Sequence, residues 1–462
     1  MIVLMGIAAV AVFLAILLRP AVGAYLLLLA TPLVAELERG DIPLRPHEAL
    51  LGLVLAALGT RSVLLMLSRH YEPPRLNRVD AALLLVVLTS SLIPVLWLAA
   101  RSLPLSQDDL LYSIVMIKYY FLYRVFRGTI ITVAQAMTCL WLVLTASAIE
   151  GAIAMLQVLH LTGGLLELYD PADPSTGMDS LSATANRGSS TLGSAFSTAD
   201  LMMISLILAL SLMRVRPDRR GLLFAAALVF IAGCIAAGEF SGYLGLLAVL
   251  LAFGTLFGSH FRRLVPVFLA CGALLTVPFW SVLEARLSGF YSAQGMPQSW
   301  QGRLANLQHF FLPKLLDGAN WLLGVQPAAR VPAPERWRDF VYIESGYVWL
   351  LWTGGVPLLL AFLYFVATAL PRLRPIARGR VDAVGAAASA AYCYLLTLLT
   401  LMLFDPHLTV RGTADLLFAL LAISQVTQPA GAAPRPRAAA QRHTLTPFTP
   451  VVAGVRPHAA SD

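Results

Sequence analysis

The chain has 462 residues, 58% apolar and only 13% charged, with a mean hydropathy of +0.76. Soluble domains carry nearer a quarter charged residues, so this composition excludes an ordinary soluble protein, and the apolar excess is too large for one anchor. The net charge of +8 comes from 33 basic and 25 acidic side chains, yet Lys118 and Lys314 are the only lysines. The arginines stand in short clusters between apolar runs, a pattern that excludes a nucleic-acid face and matches the positive-inside bias of membrane loops. Cys139, Cys234, Cys271 and Cys393 lie within apolar segments without metal or disulfide spacing, so neither a disulfide framework nor a zinc site is expected.

The first apolar run, 2 to 18, has no basic flank before it, and hydrophobicity resumes at 21 just after Arg19-Pro20; it reads as a retained helix rather than a cleaved signal. Further runs fall at roughly 21 to 35, 48 to 67, 80 to 100, 110 to 126, 130 to 159, 190 to 213, 221 to 237, 240 to 258, 264 to 284, 342 to 370, 382 to 404 and 412 to 427. They predict an all-α polytopic membrane protein of 12 or 13 transmembrane helices occupying residues 1–427. Arginine-bearing loops alternate along the chain: Arg69, Arg75 and Arg78; Arg124 and Arg127; Arg214, Arg216, Arg219 and Arg220; Arg262 and Arg263; Arg372, Arg374, Arg378 and Arg380. These predict the cytoplasmic face, and the loops holding Glu36, Glu38, Asp41, Asp108, Asp109, Glu167, Asp170, Asp173 and Asp179 predict the outer one.

Two outer loops are long, 162–189 and 285–341. In the second, Leu304, Leu307, Phe311 and Leu315 share one helical face, which predicts a small helical cap over the membrane domain. Its Arg286, Arg303, Arg330, Arg336 and Arg338 run against the charge bias. Residues 428–462, rich in Pro, Ala and Arg, predict a disordered cytoplasmic tail.

Arginine suits phosphate because its planar fork donates two parallel charge-assisted hydrogen bonds, so outer arginines above a membrane bundle point to a lipid-linked phosphate or diphosphate. The competing reading pairs them with Asp317, Glu335 and Asp339 of the same loop. Glu239, in AAGEFSGYLGLL, is either a functional carboxylate at membrane depth or an interfacial acid at a helix N-terminus. Glu344 begins the helix after the long loop, where it would stay ionised and accept a proton from a hydroxyl. Lys118 reads as lying mid-span, reaching a lipid phosphate or snorkelling to the interface. His407, beside Asp405 and near Arg411 in a polar turn, is a candidate general base or a solvated loop histidine, and the pair is too sparse to hold a metal.

Four stretches, in order, resemble the O-antigen ligase and O-antigen polymerase family of bacterial inner-membrane glycan-assembly proteins, over roughly residues 80 to 425. They are the small-residue turn from Ser190 to Phe196, the re-entering segment GEFSGYLGLL, Gly302-Arg303-Leu304 followed by Trp321-Leu322-Leu323-Gly324-Val325, and Glu344-Ser345-Gly346-Tyr347 through Thr353-Gly354-Gly355. The chain departs from that pattern at Glu239-Phe240-Ser241, where an arginine is usual, at Ile343-Glu344, where His-Asn is usual, and at Gln326, where a second glycine is usual. An acidic start to the last stretch is similar to exopolysaccharide polymerases of the wider group.

The resemblance implies a cofactor-free glycosyltransferase of the bacterial inner membrane with its active face outward. Its donor would be a polyprenyl-diphosphate-linked glycan and its acceptor a second glycan, among membrane lipids and other polysaccharide-assembly proteins. Arg303, Arg187 and Arg286, with Arg411 and Lys118, are then the candidate diphosphate ligands, and Glu344, Glu239 and His407 the candidate catalytic groups. A ligase acting on a lipid or protein acceptor is the nearest alternative. A transporter or lipid flippase is the alternative from another class, which Lys118, Glu150 and Glu239 within or beside spans also permit. A binding or scaffold role comes third.

Overall fold

The computed structural model describes residues 2–32, 46–68, 76–161, 187–258, 261, 265–291, 298–333 and 340–427. The expectations for the tail, for loop residues 162–186, and for Glu36, Glu38, Asp41, Arg69, Arg75, Arg262, Arg263, Glu335, Arg336, Arg338 and Asp339 lie outside those residues.

Leucine, alanine and valine runs that must satisfy their own backbone in lipid fold as helices. In chain order these are α1 (Ile2–Leu18), α2 (Ala21–Ala30), α3 (Pro46–Leu67), α4 (Arg78–Ala100), α5 (Gln107–Ser113), α6 (Val115–Thr129), α7 (Val133–Val158) and α8 (Ala195–Val215). There follow α9 (Arg220–Ala237), α10 (Phe240–Phe257), α11 (Val265–Leu287), α12 (Gln298–Asn306), α13 (Asn320–Leu323), α14 (Gly346–Gly379), α15 (Ala383–Leu401) and α16 (Thr413–Ile423). Among the described residues nine helices are long and apolar enough to cross a membrane, which makes this a multi-pass membrane protein: α3, α4, α7, α8, the stretch Pro217–Ala237 that contains α9, α10, α11, α14 and α15. The expected 12 or 13 exceeds that number because α1, α2 and α16 are short, and because α6 has only 15 residues and carries Lys118, Arg124 and Arg127. Helices α8 and α15 are almost wholly buried at the centre, where the alanines of α15 allow close approach, and α3 and α11 lie at the periphery.

One end of the bundle gathers arginines. Arg124 and Arg127 pair with the fully buried Asp80. Arg214 donates to the carbonyls of Ala377 and Arg378 at 2.7 and 2.9 Å, and Arg378 to those of Leu256 and Thr255, both at 3.0 Å. Those carbonyls are the last of α14 and α10, so the cations satisfy groups that a helix C-terminus leaves open and complement its negative dipole end.

The opposite end is built largely by residues 285–291, 298–333 and 340–342. Helix α11 runs on to Leu287, and α12 continues through a π turn (Leu307–Phe311) into Leu312–Leu316. That turn corrects the expected apolar face: Phe311 and Leu315 are buried but Leu304 is exposed, because a π turn rotates the preceding positions off a 3.6-residue stripe. Pro313, which lacks an N–H to continue the ladder, stands two residues beyond the end of the π turn. A two-stranded antiparallel ribbon, β1 (Arg330–Pro332) with β2 (Phe340–Tyr342), is the only β-structure among the described residues. Phe311, Leu315, Val325, Ala329, Val331, Val341 and Ile343 all belong to the bundle's own core, so the segment is woven into the end of the bundle.

Helix α14 breaks at Gly355, which has a left-handed φ of 63°. Pro357 removes the donor for the Thr353 carbonyl, and the carbonyl of Trp352 turns outward to accept from Val325 N–H at 2.7 Å. The Trp352 indole in turn donates to Ala328 O at 2.9 Å. A Cβ on Gly324, itself at φ 94°, would lie 2.7 Å from Thr353 O, and one on Gly355 would collide with Leu322 O. The Leu322–Val325 and Thr353–Gly355 motifs are therefore two faces of one joint.

Candidate functional site

At the end of the bundle away from the clustered loop arginines, three arginines meet three carboxylates. Gly238, in a left-handed turn, closes α9 and delivers Glu239 to the N-cap position of α10. Its carboxylate does not cap that helix. Instead Arg187 Nη1 donates to Oε1 at 2.6 Å, and Arg286 Nη2 lies 3.8 Å from Oε2. Arg286, in the last turn of α11, is fixed by its Nε donating to Gly238 O at 2.7 Å and by the Phe240 ring beneath its guanidinium, 5.9 Å away. Burial pushes the Glu239 carboxyl above the usual carboxylate range, against the pull of Arg187, Arg303 and His407.

Arg303 reaches from α12 to the turn after α15, where its Nη1 donates to Asp405 Oδ2 at 2.8 Å, and its Nε lies 3.8 Å from Glu344 Oε1. Glu344 directly precedes Ser345, whose hydroxyl accepts from Val348 N–H at the start of α14. Asn306, one turn beyond Arg303, donates to the other Glu344 oxygen at 3.3 Å. The Glu344 side chain is a quarter exposed, which leaves it open to a ligand. Burial raises the Asp405 carboxyl to about 6, although Arg303 and His407 oppose the shift.

His407 is not a solvated loop residue: it is fully buried, with Nδ1 2.6 Å from Oδ2 of the equally buried Asp200 and the Phe196 ring 4.7 Å away. Its Nε2 has no hydrogen-bond partner among the described residues. Its backbone N–H donates to Asp405 O at 2.7 Å, so the buried Asp200–His407 pair anchors the turn that presents Asp405 to Arg303. Asp200, Asp405 and Asn306 are the residues that sequence reading missed as parts of this site. A lone acid inside the apolar α8 is the signal that would have flagged Asp200.

Beside the charges stands an aromatic wall. Phe240, Phe290 and Trp300 meet edge to face at 5.4 to 5.9 Å, and Trp300 reaches Phe404 at 6.4 Å. It draws one ring each from α10, the turn after α11, α12 and the turn after α15.

The structure thus brings Glu239, Glu344, His407, Arg187, Arg286 and Arg303 to one place. Lys118 is not mid-span but in the first turn of α6, pairing with Glu48 at 3.4 Å and lying over the Tyr119 ring. Arg411 is half-buried in the turn before α16. Arg330 takes neither reading offered for it: it forks onto Asp108, in the first turn of α5, at 2.6 and 2.7 Å and stacks on Phe340, a clamp that pins the ribbon to the bundle. Among the described residues no three His, Cys, Asp or Glu side chains converge in a metal-holding arrangement. No protein-family model, curated protein or solved structure matches the chain.

Proposed function

We propose that the chain polymerises polyprenyl-diphosphate-linked oligosaccharide units at the outer face of the bacterial inner membrane. The observation that carries this reading is the cluster of Arg187, Arg286 and Arg303 against Glu239, Glu344 and Asp405, walled by aromatic rings, at the mouth of a membrane bundle. A diphosphate on a lipid needs cations that are within reach of the membrane and shielded from bulk water, and aromatic faces suit the apolar faces of sugar rings. The resemblance in motif order supports the same assignment. The arginine-capped end of the bundle faces the cytoplasm under the positive-inside rule, which leaves the cluster outside.

In this reaction the acceptor hydroxyl oxygen forms the new bond to the donor's anomeric carbon as the bond from that carbon to the diphosphate oxygen breaks. Arg303, with Arg187 and Arg286, stabilises the charge left on the diphosphate, and Glu344 takes the proton of the acceptor hydroxyl. Because the leaving group is already a good one, proton transfer lags behind bond breaking, and a carboxylate suffices as base.

The test is the lipid-linked glycan profile of a deletion strain. Accumulated single units support polymerisation, long unattached chains support a ligase instead, and an unchanged profile overturns both. Reporter fusions at Gly318 and Ala430 should report opposite compartments; the same compartment for both would remove the outward-facing site.

A further inference from the structure

We infer that Glu239 is an internal stand-in for a phosphate group, its carboxylate filling an anion site made by Arg187 and Arg286 that a diphosphate takes over by displacing it. This rests on the proposed function only for the identity of the anion; the competition itself follows from the geometry.

Three observations carry it. First, the two oxygens of Glu239 are shared between two guanidinium groups from different parts of the chain, the arrangement in which adjacent phosphate oxygens are held. Second, the site is under-filled: the Arg286 contact, at 3.8 Å, is beyond hydrogen-bond distance, and the buried Arg187 Nε–H has no acceptor among the described residues. Phosphate, with more acceptor oxygens than a carboxylate, supplies what is missing. Third, the displaced carboxylate has somewhere to go. Glu239 already occupies the N-cap position of α10 without capping it, so a rotation of its side chain brings its oxygens to free first-turn amides that donate to an N-cap acceptor.

Such competition depends on pH, since a protonated Glu239 releases the fork. The groups that face Glu239 are Arg187 before α8, Arg286 of α11, Arg303 of α12, Asp200 of α8, Cys234 of α9, Asp405 and His407 of the turn after α15, and Tyr243 of its own helix. Arg187, Arg303 and His407 hold the proton off and Asp200 draws it on, with burial the largest influence and favouring the protonated form. Affinity for an anion therefore rises as pH falls, in a range above the ordinary carboxylate value of 4.5.

The experiment measures binding of inorganic pyrophosphate to the purified full-length chain in lipid nanodiscs by calorimetry, across pH, for wild type, Glu239→Gln and Arg187→Ala. Glu239→Gln should bind about tenfold tighter or more at neutral pH, the scale of a close charge pair no longer competing, and should lose most of the wild-type pH dependence. Arg187→Ala should bind more weakly. The probe's own titration is common to all variants and cancels in the comparison. Binding by Glu239→Gln that is no tighter than wild type overturns the inference. If that variant does not fold, the wild-type series with sulfate, whose charge is constant over this range, decides: affinity that is flat or falls as pH falls overturns the inference, and affinity that rises supports it. Pyrophosphate carries no sugar, so the expected binding pattern with no glycan transfer would remove the proposed reaction and keep the anion site. Polymer formation without that pattern would remove the stand-in role alone.

Discussion

Replacing Arg303 tests the arrangement at its most connected point. In the resting site its guanidinium gives one charge-assisted hydrogen bond to Asp405 and sits within ion-pair range of Glu344. On a diphosphate the same fork donates two such bonds and gives up one, for a net gain of one, about 1.5 to 3 kcal/mol. At 1.36 kcal/mol per decade that is about a ten- to 150-fold loss of polymer formation in Arg303→Ala. Arg303→Lys keeps the charge but not the fork, and recovers only part of the loss. Stability should suffer little at neutral pH, because Asp405, already at about 6, is protonated readily once its cation is gone. The assay is polymer formation from purified lipid-linked oligosaccharide with protein in nanodiscs, alongside thermal unfolding. Wild-type rates in both variants would reduce Arg303 to a brace between α12 and the turn at Asp405. Lost activity with a collapsed melting transition would equally refute the reasoning.

Glu344→Gln keeps shape and the Asn306 contact but removes the base, and should slow polymer formation by about 10² to 10⁴ at unchanged expression; near-normal rates would exclude Glu344 as base. Asp405 titrates at about 6 when folded against an ordinary 3.8, so between those values the folded chain holds a proton that the unfolded chain has lost. Stability measured by thermal unfolding should therefore fall as pH rises from about 4 to about 6, and Asp405→Asn should flatten that slope; an identical slope in the variant would refute the assignment. Gly355→Ala places a side chain at a left-handed φ against Leu322 O, costing at least about 1 to 2 kcal/mol from backbone conformation alone, and should lower the melting temperature clearly; an unshifted transition would contradict the joint.

The spans and the arginine-rich loops were legible because each is a local property: an apolar run, or a charge beside one. Arg303 and Glu344 were legible singly, since each stands beside or within the first turns of a helix that flanks the polar end of the bundle. Their meeting was not, because the partner that orients Arg303 lies 102 residues away and the acid that anchors His407 lies 207 residues away. Leu304 was assigned to the wrong face because a π turn has no fixed periodic signature. Arg330 looked like its neighbours in sequence, and its distinct part depends on Asp108 and Phe340, which no spacing rule links to it.

The joint between Leu322–Val325 and Trp352–Gly355 also sets the size of the piece that can be exchanged. A main-chain hydrogen bond, an indole contact and two glycines without room for a methyl tie the segment ahead of α14 to the break inside it. A chimera that imported residues 298–342 from another chain to change sugar preference would bring a loop shaped for a different break. The smallest transferable cassette therefore runs from the start of α12 through Pro357, and it carries Arg303 and Glu344 together.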